Sequence, residues 1–397
     1  GAAAALIFPT VFFGEASPST ALILSFLTFA AGFIARPIGG IIFGHFGDRI
    51  GRKKTLVTAL ILMGVSSTLI GLLPTYAMIG VTAPILLTTL RFAQGIAIGG
   101  QWGGAMLLVT ESAPSNQRGY YGAFAQAGAP AGVILANLAF IITSALVSDE
   151  SFLAWGWRIP FLASALLIAI SMYIQLNLED TKAFKELQSY KENHLKDNNL
   201  NVTSLKKSPI IEAIKKYPKR IILAAGAFLS IQVTFYILIA FMLVYGVSDT
   251  NLSRADILTA ILIASAIQIP VQFVFASYSD RHGRKGIFML GAVLTALWAF
   301  AIFPLVDTGS FWLTVLAITG GLVFLAMMYG PQAAFFTELF TTEVRYSGAT
   351  LGYQFGAIAG GAFAPSIAAF LWTEYDIVWV SAYLSLIHIS EPTRPMN

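Results

Sequence analysis

Ten stretches of this chain run without a single Asp, Glu, Lys or Arg: residues 16–35, 55–90, 92–110, 119–148, 159–178, 221–248, 257–279, 286–306, 308–337 and 346–373. The hydrocarbon core of a bilayer is about 30 Å thick and takes roughly 20 helical residues to cross. Inside lipid, each backbone N–H and C=O must be satisfied within the structure, so apolar stretches of this length are read as helices. With Pro74 and Pro84 taken as the hairpin that divides residues 55–90, the windows become spans two to eleven. Only 11% of the 397 residues are charged, against roughly 25% in an ordinary soluble domain. A soluble enzyme, a disordered chain and a nucleic-acid binder are all disfavoured. With no cysteine in the chain, disulfides, thiolate metal sites and cysteine nucleophiles are excluded.

Two partial spans flank the ten windows. Residues 1–13 read as the tail of a truncated first span, and IVWVSAYL opens a twelfth that is also expected to be incomplete. The segment LSLIHISEPTR, Leu384 to Arg394, looks like a translated sequencing adapter, so residues 384–397 are expected to be a non-native tail.

The distribution of Lys and Arg sets the orientation. One side of the membrane receives Arg49, Arg52, Lys53, Lys54, Arg118, ten residues between Lys182 and Arg220, then Arg281, Arg284, Lys285 and Arg345. The other receives Arg158 and Arg254, a split of 19 to 2 that assigns the basic loops to the cytoplasm. The expected organisation is a first six-helix bundle over residues 1–178, a cytoplasmic linker over 179–220 and a second bundle over 221–383.

An internal repeat supports that division. GDRIGRKK (Gly47 to Lys54) returns as SDRHGRKG (Ser279 to Gly286), each in the loop after the second span of its half. Glu111 and Arg118 flank the turn after span four, and Glu338 and Arg345 flank the turn after span ten with the same separation of seven. Like loops on the same side require an even number of spans per half, the mark of a parallel repeat.

Repeated D-R-x-G-R-K loops in a six-plus-six chain resemble the major facilitator superfamily. Within it, RPIGGIIFGHFGDRIGRKKTL, RFAQGIAIGGQWGGAMLLVTESAP, WGWRIPF and YGPQAAFFTELFTTEVRYSG are similar to the metabolite:proton symporters. Members of that family move shikimate, 2-oxoglutarate, citrate, proline or betaine, and the WGGA stretch is most similar to the shikimate-type members. The resemblance implies an all-α twelve-span membrane protein of two six-helix bundles, alternating access and proton coupling. Family members usually carry Glu where this chain has Gln101, and an acidic element in the first span.

Several residues are candidates for chemistry. Asp48, Arg49 and Arg52, and their counterparts Asp280, Arg281 and Arg284, sit in tight loops where an Asp can accept hydrogen bonds from neighbouring helix ends and latch one side shut. Glu111 with Arg118, and Glu338 with Arg345, would complete the latch as switchable ion pairs. Arg36 precedes Pro37 and is expected to be structural, snorkelling toward head groups or Asp48. Arg91 lies inside span four, where a cation is costly unless it faces a polar cavity or a partner, and its planar fork can clamp a carboxylate. Gln94 and Gln101 follow on the same helical face. Gln126, Asn137, Gln232, Tyr236, Gln268, Gln272, Tyr329, Gln332, Tyr353 and Gln354 are further candidates to line a solute chamber, with helix-to-helix bonding as their structural alternative.

The function these features support is secondary active transport of a small polar or anionic metabolite, an organic acid or zwitterion, across the cytoplasmic membrane. The expected partners are the solute, a proton and the lipid bilayer, with no nucleic acid, no cofactor and no metal, in a monomer. A membrane-embedded enzyme is one alternative, but no H-E-x-x-H, nucleophile elbow or acidic metal pair occurs in any span. A phosphate-binding G-x-x-x-x-G-K-[ST] is also missing, which disfavours an ATP-driven pump. A transporter-like sensor or a nonfunctional fragment remains the third reading. No intact span holds a central carboxylate, so the proton carrier is expected to be Glu111, Glu338 or an acid of the first span.

Overall fold

The computed structural model describes residues 7–50, 52–177, 214–340 and 345–389. Side chains of residues 29, 44–50, 52–56, 100, 102–105, 107–108, 111–112, 167, 171, 174–176, 345–347 and 389 lie outside that description. Twelve rods follow in chain order. They are α1 (Phe8–Phe12), α2 (Pro18–Ile50), α3 (Arg52–Leu72), α4 (Thr82–Ser112), α5 (Arg118–Leu146) and α6 (Arg158–Asn177). Then come α7 (Pro218–Asp249), α8 (Arg254–His282), α9 (Arg284–Asp307) and α10 (Phe311–Glu338). Next is α11 (Arg345–Gly356, Ala357–Ala362 and Ala364–Glu374), and last α12 (Ile377–Ile389). Seven of them, α2, α5 and α7 to α11, are each long and apolar enough to cross a bilayer.

Helix ends follow from local chemistry. Pro218 opens α7, where its missing N–H costs nothing. Ser253 and Asp256 form a reciprocal capping box at the start of α8, and Gly283, at φ +88°, ends it. That glycine belongs to the repeated SDRHGRKG loop, and its positive φ lets the chain turn directly into α9. Pro84 corrects the expected hairpin. It lies in the first turn of α4, where its N–H has no intrahelical partner to lose, while the turn itself is residues 73–75 with a short Tyr76–Ile79 helix.

The windows also underestimate α2, which continues past the charge-free stretch and Arg36 through Phe43 to Ile50. Of the linker, 179–213 lies outside the described residues, and its last residues lead into α7. In the segment read as a tail, α12 extends through Ile389 with Leu384 and His388 buried, and residues 390–397 lie outside the description.

Without a hydrophobic force between helices in lipid, close packing needs small residues. A side chain on Gly95 would run its Cβ into the Gly32 carbonyl oxygen, and one on Gly99 would run into that of Arg36. The backbones of α2 and α4 therefore touch. Across the middle, α5 runs antiparallel to α8 and beside α10, joining the first bundle to the second. Among the described residues, π-helical turns interrupt the regular geometry at Phe152–Gly156 just before α6, at Ile237–Phe241 in α7 and at Ala357–Ala362 in α11. Such turns are frequent at functional sites.

Candidate functional site

At the end that carries the D-R-x-G-R-K loops, called here the basic end, α5 begins with Arg118 and leaves its first N–H groups without helical partners. Asp280, near the end of α8, supplies them. Its Oδ1 accepts from the Gly119 N–H at 2.8 Å and its Oδ2 from the Tyr120 N–H at 2.9 Å. Negative charge at a helix N-terminus also complements the macrodipole. Arg284 donates to Asp280 at 2.7 Å and to Glu338 at 2.9 Å, so a carboxylate of α8, the guanidinium of α9 and a carboxylate of α10 hold together. Gly119 has no room for a side chain, since a Cβ would meet the Arg284 Nη1 at 2.5 Å.

A few turns along the seam from the clasp, side-chain amides take over. Gln126 of α5 donates to Gln332 Oε1 of α10 at 2.9 Å, and Gln272 of α8 donates to the Ala123 carbonyl of α5 at 3.0 Å. These groups are buried, yet they retain unused hydrogen-bonding capacity. Gln332 Nε2, Gln272 Oε1 and both amide atoms of Gln268 and of Gln354 have no partner among the described residues. An amide seam of this kind can take up a polar solute or re-pair when the halves move.

Around the next group of residues the walls are aromatic. Phe33 of α2 meets Tyr236 of α7 edge to face at 5.4 Å, and Tyr353 of α11 stacks on Phe228 of α7 at 3.9 Å. Arg36 stands over the Phe33 ring at 3.8 Å, and Phe33 belongs to the same buried cluster as Tyr329 and Tyr353. Arg36, expected to be structural, thus stands on the side of α2 where Phe33 meets α7 and α11, while the side chain of Asp48, the other partner expected for it, lies outside the described residues.

Arg91 is partly buried, with its Nε fully enclosed. It donates to Gln94 Oε1 at 3.1 Å, stands 5.3 Å from the Phe8 ring, and lies within electrostatic reach of Tyr236. Gln94 in turn donates to Ser67 of α3 at 2.8 Å, a neighbour not evident from the sequence. Gln101 joins neither by any described bond, and its Nε2 has no partner. Gln232 packs where a Cβ on Gly360 of α11 would touch it at 3.0 Å, and Asn137 is buried with its Nδ2 unpaired.

The opposite end of the α5–α8 seam holds a pair that sequence reasoning passed over. Arg254, at the start of α8, lies 3.6 Å from Asp149 and stacks on Phe152 at 4.9 Å. The signal was available, because Arg254 is one of only two cations counted on that side. The second, Arg158, donates to the Leu73 carbonyl at 3.0 Å and pins α6 to the end of α3. Nearby, the Tyr76 hydroxyl donates to Glu15 at 2.9 Å, and that bond raises the phenol above its ordinary pKa.

Of the other predicted latch residues, Arg118 is partly buried at the start of α5, with its Nε unpartnered among the described residues. The side chains of Asp48, Arg49, Arg52, Glu111 and Arg345 lie outside the described residues, and Arg281 is exposed beside the network without a described bond to it. No cluster of metal-ligating side chains occurs among the described residues. The open groove between α2 and α4, about 470 Å³ and lined by Ala31, Pro84, Ile85, Thr88, Thr89 and Phe92, contains none of the nominated residues.

Comparison with known proteins now has a geometry to meet. The family model of the Major Facilitator Superfamily matches residues 2–365. This chain belongs to that superfamily. It is 39% identical over 391 residues to the inner membrane metabolite transport protein YhjE of Escherichia coli, covering 96% of this chain and 86% of that one. To the shikimate transporter of the same organism it is 38% identical, over 98% of this chain and 86% of that protein. A proline/betaine transporter of Salmonella typhimurium is 33% identical, covering 96% and 75%.

Among solved structures, the partially occluded, inward-open xylose transporter XylE of Escherichia coli superposes with a TM-score of 0.72. It is 19% identical, over 97% of this chain and 92% of that one, and the likeness is one of fold. Membership establishes a multi-pass membrane transporter of two six-helix bundles, and with it the enzyme alternative falls.

Proposed function

We propose that this superfamily member moves a small polar or anionic metabolite, an organic acid or a zwitterion, by rocking its two bundles around a shared chamber. The membrane is the cytoplasmic one, the basic end faces inward and the working unit is a monomer. The observation that carries this reading is the Asp280 clasp. A carboxylate of the second bundle holds the backbone N-terminus of a helix in the first, so the inner side closes through bonds that separate when the halves tilt. Such a clasp serves alternating access, in which a balanced equilibrium is shifted only by differential affinity.

The chamber lies between Arg91, Gln94, Gln101 and Gln126 of the first bundle and Gln232, Tyr236, Gln268, Tyr329, Gln332 and Gln354 of the second. Arg91 supplies positive charge and the amides and tyrosines supply adaptable hydrogen bonds. Proton coupling is part of the reading, and a solved protein of like fold is a D-xylose-proton symporter. Glu338, tied to the clasp through Arg284, is the described acid best placed to link protonation to opening.

The test is uptake into proteoliposomes of radiolabelled organic acids, shikimate and betaine, with and without an inward proton gradient. Saturable uptake of at least one solute, enhanced by the gradient and abolished by a protonophore, is the expected result. Uptake that ignores the gradient removes proton coupling, and an absence of uptake and of counterflow for every solute removes the function.

A further inference from the structure

The end of α10 has no cation of its own. Its last turn holds no basic residue, and Leu339, which caps it, presents a carbonyl that the helix leaves without an intrahelical donor. Arg220 of α7 supplies the bond, its Nη1 donating to that carbonyl at 2.6 Å. On α7 itself the placement is unfavourable, because Arg220 lies in the first turn, where the helix dipole opposes a cation and no acid offsets it. Sequence reading counted Arg220 among the linker cations, and nothing in the pattern pointed to a second helix as its target.

Leu339 adjoins Glu338, the second carboxylate of the clasp. Arg284 donates its Nε to Glu338 Oε2 at 3.2 Å and its Nη2 to Oε1 at 2.9 Å, a fork that requires both oxygens to face it. The Nη1 of the same guanidinium goes to Asp280, which holds the Gly119 N–H across the seam. Because Glu338 is 39% exposed, its pair with Arg284 contributes little unless the geometry is held. Arg220 fixes the next backbone group along the chain. Phe340, one residue further, is fixed as well: its ring meets that of Tyr217 edge to face at 6.3 Å and leaves no room for a Cβ on Gly348 of α11. Tyr217 is the residue on which the linker ends and α7 begins, and its ring lies 5.2 Å from the Arg220 guanidinium.

We infer that Arg220 is a positioning residue for the clasp, through which the end of the linker regulates how firmly the basic end closes. The inference rests on the transport reading above and deepens it. Held at Leu339 and Phe340, the end of α10 keeps one orientation, and Glu338 keeps both oxygens on Arg284. Drawing Tyr217 and Arg220 away frees that turn, Glu338 moves toward water, and Arg284 loses one of the two carboxylates that aim it. Asp280 then holds α5 with a less constrained partner. A ligand or a force that displaces the linker end thereby shifts the basic end toward opening.

The experiment measures the rate at which the full chain carrying Ala276→Cys reacts with an impermeant maleimide. Arg220→Gln should speed labelling about threefold or more, less than loss of Arg284 itself, and any smaller change overturns the inference. Arg220→Lys keeps a donor and should lie nearer the parent than Arg220→Gln does; a lysine protein as fast as the glutamine one overturns it too. The decisive arm repeats Arg220→Gln in a Glu338→Gln background, where the Asp280 bonds remain and the rate still has room to rise. An effect passed through Glu338 shrinks there to less than about twofold. A twofold or larger effect in that background shows that Arg220 caps α10 without acting on the clasp, and overturns the proposal.

If Arg220→Gln does not yield a monodisperse helical protein, Tyr217→Leu carries the test. It should speed labelling about twofold or more, and the effect should vanish with Glu338→Gln; a smaller effect, or one that persists, overturns the inference. Asp280→Ala separates this failure from that of the transport reading. Labelling that responds to Asp280→Ala but not to the linker-end variants removes only the inference, whereas labelling indifferent to Asp280→Ala removes the reading beneath it.

Discussion

At the basic end of the α5–α8 seam, a carboxylate only 5% exposed accepts two backbone N–H groups at 2.8 and 2.9 Å. At the far end, Asp149 is 89% exposed and meets Arg254 at 3.6 Å. The same two helices are thus fastened by unequal chemistry. Hydrogen bonds to a charged group contribute about 1.5–3 kcal/mol, and a solvent-exposed ion pair about 0–1 kcal/mol. The balance between the two facing states is therefore set chiefly where Asp280 holds α5, and the far end adds registration more than energy.

Because the chain has no cysteine, single thiols report on this difference without background. The largest effect is expected from Asp280→Ala. Removing the clasp should cost about 2–3 kcal/mol, which raises the open population at the basic end roughly 30-fold or more. A cysteine replacing Ala276, fully buried beside the clasp, should then react that much faster with an impermeant maleimide. A labelling rate within threefold of the Asp280 parent would break the comparison.

Arg284→Gln comes next. It removes the bridge between Asp280 and Glu338 but leaves the two backbone bonds, and Glu338 is 39% exposed, which discounts its share. The expected change is about 1–2 kcal/mol, or roughly tenfold in the same labelling. Gln126→Leu acts two turns along the seam from the clasp by deleting the bond to Gln332, an effect of about 1 kcal/mol and a several-fold change. Asp149→Asn should be smallest, within threefold at either end, as an exposed pair of about 0–1 kcal/mol requires. An Asp149 effect equal to that of Asp280 would reverse the assignment of the two ends.

Much of this architecture was legible in the residues themselves. Charge-free windows mark helices because lipid admits no other solution, and the paired D-R-x-G-R-K loops expose the repeat directly. Asp280, Arg284 and Glu338 were readable as a latch because an acid recurs beside the cations, where orientation alone would need cations only. The receiving atoms were not readable, since backbone N–H groups of Gly119 and Tyr120 carry no side-chain signature.

Arg36 shows where reading along one helix stops. Its distance from the loop is compatible with snorkelling, and only the packing of α2 against α4 and α7 sets it over Phe33, which meets Tyr236. Gln94 is similar, because its partner Ser67 lies on another helix 27 residues away. Pro84 misled for a simpler reason: the first turn of a helix tolerates proline as readily as a hairpin does.

The most direct test of the unequal seam is a pair of distance measurements by pulsed electron resonance. One spin-label pair would replace Tyr121 and Tyr278 at the basic end, the other Glu150 and Asn251 at the far end, each in the parent and in Asp280→Ala. The parent should hold the short distance at the basic end, and Asp280→Ala should lengthen it while shortening the far-end distance. Distances that stay unchanged, or that move in the same direction at both ends, would contradict a protein that works by tilting two halves about a clasp.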